Sequence, residues 1–205
     1  MTGNENLIFT QDAIFIKETM ELGEAVMHIG ELNLMKQLAN LVTTNGGDIL
    51  EIGFGMHLSA DEIQKNPNVK SHTIIEIHPD IYHTAVEWAK DKPNVKILLG
   101  DWVDIIPTLN KKFDGILHDT HRDKNIHNFL DSVKEISNLN CIVGFFECKF
   151  FDKRIGAVRY EIDSNEFNKL PYRNNGSFEN NQYELKYSIF NGIDFYKKND
   201  IKTLI

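Results

Sequence analysis

The stretch Asp48-Ile-Leu-Glu-Ile-Gly-Phe-Gly-Met56 joins a short apolar run to two glycines that are separated by a single residue. Residues 48–52 have the length and apolar character of a strand that is buried on both faces. Residues 58–65, which follow the glycines, have the pattern of a helix. A buried strand, a glycine turn and a helix in this order are typical of the opening unit of a parallel α/β sheet.

The same alternation of short apolar runs with longer amphipathic segments continues as far as Phe146. It predicts further strands at residues 72–76, 95–99, 113–117 and 141–146. It predicts helices between them at residues 80–90, 102–109 and 124–136. Because strands alternate with helices, we expect an open, doubly wound and mostly parallel sheet with right-handed crossovers.

The two ends of the chain depart from this alternation. Residues 1–45 are predicted to form a helical cap before the first strand. Near the other end, apolar runs predict strands at residues 156–163, 184–190 and 194–198, and Asn191-Gly192 predicts a hairpin between the last two. These strands are expected to add an antiparallel edge to the sheet.

The chain is therefore expected to form a single domain over residues 1–205. Its parts are the helical cap (1–45), a cofactor-binding core (46–148) and the C-terminal antiparallel strands (149–205). Residues 172–181 are rich in Asn, Gly and Ser and are predicted to form a loop. This loop is too short to be a linker between domains.

The composition narrows the classes of partner. Hydrophobic residues make up 41% of the chain and charged residues 25%, which is typical of a soluble globular protein. Acidic residues outnumber Lys and Arg by 30 to 22, so a nucleic-acid partner is not expected. No apolar run of about 18 residues predicts a membrane span. Cys141 and Cys148 are interpreted as free thiols of a reducing cytosol, so the predicted location is cytoplasmic.

The glycine turn and an acid after the second strand predict a nucleoside-containing cofactor. Gly53 and Gly55 let the chain turn tightly and let a ligand approach the backbone. The carboxylate of Glu76, at the end of the second strand, can accept hydrogen bonds from both hydroxyls of a ribose. These features alone leave both NAD and S-adenosylmethionine (AdoMet) open.

Two details favour AdoMet. The dinucleotide fingerprint requires a third glycine, where this chain has Leu58, and Glu51 places an acid just before the turn. AdoMet carries no phosphate and has a positive sulfonium, so an acid is tolerated there. After the third strand, Asp101 can accept the adenine amino group and Trp102 can pack on the adenine ring.

Three segments resemble the guanidinoacetate N-methyltransferase family and its relatives that methylate arginine. They are Ile49-Leu-Glu-Ile-Gly-Phe-Gly-Met56, Ile74-Ile-Glu-Ile77, and the run from Gly100-Asp-Trp102 to Phe113-Asp-Gly-Ile-Leu-His-Asp-Thr120. The resemblance covers roughly residues 27 to 120. It implies a Rossmann-like class I methyltransferase with a seven-stranded type of sheet. It also implies that AdoMet contacts the following residues: Met35, Glu51, Gly53, Phe54, Gly55, Met56, Glu76, Ile77, Gly100, Asp101, Trp102 and Asp119.

The resemblance further implies two catalytic carboxylates. In that family the aspartate of an Asp-Thr pair binds the guanidinium of the acceptor, and Asp119 matches it. The position of the family's second carboxylate is matched by Glu31. Two carboxylates can hold a guanidinium by charge-assisted hydrogen bonds, and one of them can take up its proton. The implied substrate-binding residues are Glu31, His118, Thr120 and His121.

Alternatives to an N-methyltransferase remain at this point. His118, Asp119, His121 and Asp123 are of metal-ligand type, but two histidines three residues apart on a loop need not converge, so no metal is expected. The enzymatic alternative is an O-methyltransferase, either metal-dependent or directed by a carboxylate. The other alternative is a non-catalytic AdoMet-binding subunit. The expected partner is a small-molecule or peptide acceptor with a guanidinium or amine, and a homodimer is compatible with the sequence.

Overall fold

The computed structural model describes residues 1–22, 25–146, 153–161, 165 and 182–198. The strands, in chain order, are β1 (Leu7–Phe9), β2 (Ala13–Ile16), β3 (Ala25–His28), β4 (Gly47–Ile52), β5 (Val69–Glu76), β6 (Val95–Leu99), β7 (Phe113–His118), β8 (Ser137–Phe145), β9 (Gly156–Glu161), β10 (Gln182–Phe190) and β11 (Phe195–Tyr196). The α-helices are α1 (Leu32–Val42), α2 (Leu58–Lys65), α3 (Pro79–Trp88), α4 (Trp102–Ile105) and α5 (Phe129–Val133). Within these ranges no helix is both long and apolar enough to cross a membrane.

The central sheet has the strand order β11-β10-β8-β7-β4-β5-β6, and β9 pairs with β10. All neighbouring pairs from β8 to β6 are parallel. The predicted doubly wound, mostly parallel sheet is therefore confirmed. The chain passes from β4 outward to β5 and β6, and then returns to the other side of β4 to form β7 and β8. This reversal creates a crevice at the carboxyl ends of β4 and β7, where doubly wound folds bind ligands.

Apolar side chains on both faces hold the parallel strands in place. Leu50 of β4 packs into a cluster with Ile116 and Phe129 on one face of the sheet. Ile49, its neighbour in sequence, packs with Leu38 of α1 on the other face. Successive residues of a strand point to opposite faces, so a strand covered by helices on both sides reads as a continuous apolar run. This burial on both faces is why the sequence predicts these strands well.

The C-terminal strands extend one edge of the sheet, as predicted. β10 runs antiparallel to β8 on one side and pairs antiparallel with β9 and β11 along successive parts of its length. The turn between β10 and β11 begins at Asn191, whose N–H donates to the Asp194 carbonyl oxygen at 3.1 Å. Arg154 contacts Asp194 at 3.3 Å and Asp131 at 2.9 Å, and so ties this hairpin to α5. The loop predicted at residues 172–181 lies outside the described residues.

The N-terminal region differs from the predicted helical cap. β1, β2 and β3 form a separate antiparallel sheet, and α1 is the α-helix between residue 25 and β4. In β3, Ala25 and Met27 are buried while their neighbours are only half-buried, which is the alternation of a strand packed on one face. Each of these strands has only three or four residues, so the pattern is too short to be separated from a helix by periodicity.

The helix predicted at residues 124–136 is also shorter than expected. α5 covers five residues and is flanked by 3-10 turns at Ile126–Asn128 and Lys134–Ile136. The carboxylate of Asp123 accepts the N–H of Asn125 at 2.7 Å, a local bond that competes with helix formation. As a result, residues 119–125 form a loop at the carboxyl end of β7.

Candidate functional site

A cavity of about 700 Å³ opens at the carboxyl ends of the parallel strands. Its wall is built from the ends of four strands and the segments beyond them: residues 52–55 at β4, 75–77 at β5, 99–102 at β6 and 119–125 after β7. Residues 1–5, the β3 residues Val26 and Met27, and Pro79 and Ile81 of α3 also line the cavity. The volume lies within the range of small-molecule and cofactor sites.

Close backbone packing explains both glycines of the turn. Gly53 has a φ of 89°, and a Cβ added there would overlap the carbonyl oxygen of Asp119. Gly55 has a φ of 53°, and an added Cβ would lie 2.6 Å from the sulfur of Met27. That sulfur also accepts the N–H of Met56 at 3.1 Å. The turn is thus fixed between the β7 loop and β3, with its backbone in the cavity wall.

Glu76 places a buried carboxylate in the cavity wall. Its Oε2 accepts the N–H of Phe54 at 2.9 Å, and its Oε1 accepts the N–H of His78 at 2.8 Å. Burial raises the pKa of the Glu76 carboxyl, although these N–H groups act in the opposite direction. Each carboxylate oxygen can accept two hydrogen bonds, so both can still receive a donor from a ligand.

Asp101 and Trp102 form the wall beyond β6. The Asp101 carboxylate accepts the N–H of Val103 at 3.0 Å and caps α4. Trp102 is largely buried, and its indole N–H donates to Oδ2 of Asp123 at 2.9 Å. The structure brings the following predicted residues together in the wall: Gly53, Phe54, Gly55, Glu76, Ile77, Gly100, Asp101, Trp102, Asp119, Thr120 and His121.

Asp119 and Thr120 face the glycine turn from β7. The N–H of Asp119 donates to the carbonyl oxygen of Ile52 at 3.0 Å, which fixes the loop to the end of β4. The hydroxyl oxygen of Thr120 is buried and has no hydrogen-bond partner among the described residues. A buried hydroxyl without a partner in a cavity wall is available to a ligand.

Glu51 lies beneath the glycine turn and outside the cavity wall. Its side chain is fully buried and does not reach the cavity wall. One carboxylate oxygen accepts the hydroxyl of Ser59, and the other lies 2.8 Å from Nε2 of His72. Glu51 therefore joins α2 to β5 beneath the glycine turn, and its cofactor contact stays a prediction of the family resemblance.

Met35, Met56 and His118 also lie outside this wall. Met35 is fully buried in the core between α1 and the sheet, and Met56 packs partly buried against the same apolar cluster. His118 packs on Phe129, with a distance of 4.4 Å between ring centroids, and lies behind Trp102. The predicted contacts of these three residues with cofactor or substrate therefore stay predictions of the family resemblance.

Glu31 lies at the N-terminal end of α1, also outside this wall. Its Oε1 accepts the N–H of His28 at 3.0 Å, and Nδ1 of His28 accepts the N–H of Gly30 at 2.9 Å, so the two residues form a capping box. It follows β3, whose Met27 forms part of the wall. The catalytic role of Glu31 stays a prediction of the family resemblance.

Several wall residues were not predicted from the sequence. Val26, Met27 and residues 1–5 belong to the N-terminal region whose fold was not foreseen. Asp123 was noted only as a residue of metal-ligand type. Its carboxylate instead accepts hydrogen bonds from Trp102 and His118. In the described part of the chain, no group of three or more Cys, His, Asp or Glu side chains is arranged to hold a metal ion.

Comparison with known sequences gives a family match over most of the described core. A profile of the family described as guanidinoacetate N-methyltransferase matches residues 13–139, more than half of the chain. Protein arginine N-methyltransferase 2 of Candida glabrata is 33% identical over 155 residues, which are 70% of this chain and 36% of that protein. The chain spans about a third of the length of the curated relatives that it matches.

Comparison with solved structures supports the fold. A spermidine synthase in complex with the transition-state analogue AdoDATO gives a TM-score of 0.64 at 12% identity, over 90% of this chain and 72% of that one. The O-methyltransferase TomG from Streptomyces achromogenes, in complex with SAM, gives 0.55 at 15% identity, over 81% and 82%. At such low identity these likenesses show the Rossmann-like fold alone.

Proposed function

Because this chain belongs to the guanidinoacetate N-methyltransferase family, we propose that it is an AdoMet-dependent N-methyltransferase. The proposed acceptor is a small molecule or peptide with a guanidinium or an amine. The observation that carries the proposal is the buried carboxylate of Glu76, which lies beside the glycine turn in a cavity formed at four strand ends. In this arrangement the two carboxylate oxygens of Glu76 can accept hydrogen bonds from the hydroxyls of a ribose. The backbone of the glycine turn can contact the rest of the cofactor.

The wall residues support the following proposed placement of the cofactor. Glu76 would accept the ribose hydroxyls, and Asp101 with Trp102 would enclose the adenine. Gly53 and Gly55 would face the methionine portion, which leaves the sulfonium toward Asp119. When bound, AdoMet supplies a methyl group that is activated by its positively charged sulfur.

The charges of the wall favour AdoMet over a dinucleotide. The carboxylates of Glu5, Glu76, Asp101, Asp119 and Asp123 outnumber the cationic side chains of the same wall, which are Arg122 and Lys124. Negative charge attracts a sulfonium and a cationic acceptor, but repels the pyrophosphate of NAD. In a dinucleotide-binding protein, the N-terminus of the helix after the glycine turn receives the pyrophosphate. In this chain that helix is α2, and the buried carboxylate of Glu51 precedes it.

Asp119 is the proposed acceptor residue. Its carboxylate would hold a guanidinium or ammonium by charge-assisted hydrogen bonds and accept its proton as the nitrogen bonds to the methyl carbon. The partnerless hydroxyl of Thr120 would add a further hydrogen bond. In this in-line displacement most of the catalysis comes from positioning the two reactants. Glu31 would supply the second carboxylate if it turns from its capping bond.

Cofactor affinity should depend on pH through Glu76. Burial raises the pKa of the free carboxyl above its ordinary value of 4.5, whereas ribose hydroxyls donate best to the charged form. Affinity for S-adenosylhomocysteine (AdoHcy), the demethylated product, should therefore rise with pH and level off once the pH exceeds the raised pKa of the free carboxyl. Calorimetry between pH 4.5 and pH 8 checks this. Glu76→Gln cannot titrate, so an equal rise in that variant would contradict the assignment.

Methyl transfer should survive prolonged treatment with EDTA, because we propose no metal in the site. His118 and Asp123 bind each other at 2.9 Å, so neither side chain is needed as a ligand. The measurement compares initial rates before and after chelation. A loss of activity that a single divalent ion restores would favour the O-methyltransferase alternative.

The acceptor class is tested by transfer of an isotope-labelled methyl group from AdoMet. Guanidinoacetate, free arginine, an arginine-containing peptide, simple amines and a catechol would be compared under single-turnover conditions. The proposal predicts an N-methylated guanidine or amine as the product. Transfer only to the catechol would support the O-methyltransferase alternative. Binding of AdoMet without transfer to any acceptor would support a non-catalytic subunit.

A further inference from the structure

Asp123 is the centre of a hydrogen-bond network at the back of the cavity wall. Its Oδ2 accepts the indole N–H of Trp102 and Nε2–H of His118, both at 2.9 Å. Its Oδ1 accepts the N–H of Asn125 at 2.7 Å. A carboxylate cannot donate, so His118 must carry its proton on Nε2 in this contact. One carboxylate thus connects the β6 side of the cavity with β7 and the loop that follows it.

The network is sheltered from water and charged. The side chain of His118 is 3% exposed and that of Asp123 is 10% exposed. Burial on its own raises the pKa of the Asp123 carboxyl, but the hydrogen bonds from His118, Asn125 and Trp102 outweigh it and hold the pKa below its ordinary value. Hydrogen bonds to an ionised group in such surroundings are stronger than bonds between neutral groups.

Aromatic packing holds the remaining sides of the indole. Phe129 meets the Trp102 ring edge-on, with a centroid distance of 5.1 Å and an interplanar angle of 90°. His118 meets the indole at 6.1 Å and 82°. The side of Trp102 that is left faces the cavity. The aromatic contacts determine the position of the Trp102 ring in the core. The hydrogen bond to Asp123 determines how the ring is rotated about its side-chain bonds.

We propose that Asp123 is a positioning residue for the cofactor: it locks the Trp102 indole, together with His118, into the orientation that forms the adenine wall. This inference rests on the proposed function, because it needs a cofactor with an adenine. The same loop also carries Asp119, so the adenine wall and the proposed acceptor carboxylate are held by one segment. Loss of the Asp123 bond would free the indole to rotate into the space that the adenine occupies.

A matched control exists elsewhere in the chain. The second tryptophan, Trp88, donates its indole N–H to a carboxylate oxygen of Asp61 at 2.8 Å. Neither Trp88 nor Asp61 belongs to the cavity wall. Asp61→Asn therefore changes the same kind of bond outside the site. Asp61 is 47% exposed and Asp123 is 10% exposed, so Asp123→Asn should lower thermal stability more, and only Asp123→Asn should change cofactor affinity.

The test is a double-mutant cycle on AdoHcy affinity, measured by calorimetry on the full chain. Asp123→Asn and Trp102→Phe should each weaken binding by about tenfold, the low end for bonds to a charged group. If Asp123 acts through the indole, the double variant should be little weaker than either single variant. Asp61→Asn should stay within about threefold of wild type, since it removes no ligand contact.

A spectroscopic readout separates positioning from general damage. In a Trp88→Phe background, Trp102 is the sole tryptophan, and its fluorescence should change on adding Asp123→Asn even without ligand. Additive losses in the cycle, or an unchanged affinity in Asp123→Asn, would overturn the inference. If wild type itself fails to bind AdoHcy, the proposed function fails instead, so the two failures are distinguishable.

Discussion

Replacing Asp119 with asparagine should lower single-turnover methyl transfer by at least about 100-fold, the lower end for loss of a general base. The substitution keeps the shape of the side chain but removes the charge that holds a cationic acceptor. It also removes the group that takes up the proton. The N–H of residue 119 still donates to the Ile52 carbonyl oxygen, so the loop should keep its place.

Cofactor binding provides the control for this variant. AdoHcy affinity of Asp119→Asn should remain within about threefold of wild type, the scale of a substitution that removes no major contact. If the variant loses AdoHcy binding instead, the cofactor contact that the family resemblance implies for Asp119 is its main role, and the acceptor assignment fails. If turnover is unchanged, the acceptor does not need this carboxylate.

Glu31→Gln tests the second predicted carboxylate against its structural role. Glutamine can still accept the N–H of His28, so the capping box of the 3-10 turn at Ile29–Glu31 should largely persist. If Glu31 also binds the guanidinium, turnover should fall by at least about 100-fold, as for Asp119. Normal turnover in Glu31→Gln would refute the two-carboxylate hypothesis and leave Glu31 as a helix cap.

Glu76→Ala should weaken AdoHcy binding by about 1.5–3 kcal/mol, the range for hydrogen bonds to a charged group. That range corresponds to roughly 10-fold to 150-fold in the dissociation constant. The physical reason is the loss of both acceptor oxygens for the ribose. Calorimetry of the variant and of wild type in the same buffer measures the difference.

The same substitution also leaves the N–H groups of Phe54 and His78 without their carboxylate partner. Thermal unfolding without ligand must therefore be measured in parallel, to separate lost stability from lost affinity. Glu76→Gln is the matched variant, because its amide oxygen can keep one of the two N–H bonds. If Glu76→Ala binds AdoHcy as tightly as wild type does, Glu76 does not bind the ribose hydroxyls.

The sequence predicts the central sheet because a strand that is buried on both faces consists of a continuous run of apolar residues. Residues 48–52 and 113–117 are apolar runs bounded by turn residues, and β4 and β7 lie over them. The strands of the N-terminal sheet are too short to form such a run. β1, β2 and β3 have three or four residues each and pair with their neighbours along the chain, so each apolar pattern is too short to identify a strand.

The predicted residues that directly follow a strand reach the cavity wall, as does Glu76 at the last position of β5, whereas Glu51 inside β4 does not. Gly53, Asp101 and Asp119 come after their strands and reach the cavity. Glu51 lies within β4 and shares the sheet face of Ile49, so its side chain points into the packing beneath α2. Successive side chains of a strand point to opposite faces of the sheet. The position of a residue within a motif therefore does not show which face its side chain occupies.

The direction of the His118 side chain could not be predicted from its motif position either. His118 lies on the same sheet face as Ile116 and packs with Phe129 behind the cavity. The role of Asp123 could not be predicted because the residues that donate to it, Trp102 and His118, come from different strand ends. In the strand order β7-β4-β5-β6 two strands separate β6 from β7, so no local sequence pattern shows that the residues at these two strand ends meet. Contacts of this kind follow from topology.

The central claim is that this cavity binds AdoMet. It is tested most directly by calorimetric titration of the wild-type chain with AdoMet, AdoHcy and NAD under identical conditions. The account predicts binding of AdoMet and AdoHcy at one site per chain, with NAD far weaker. Binding of NAD in preference to AdoMet, or no binding of either adenosyl compound, would contradict it.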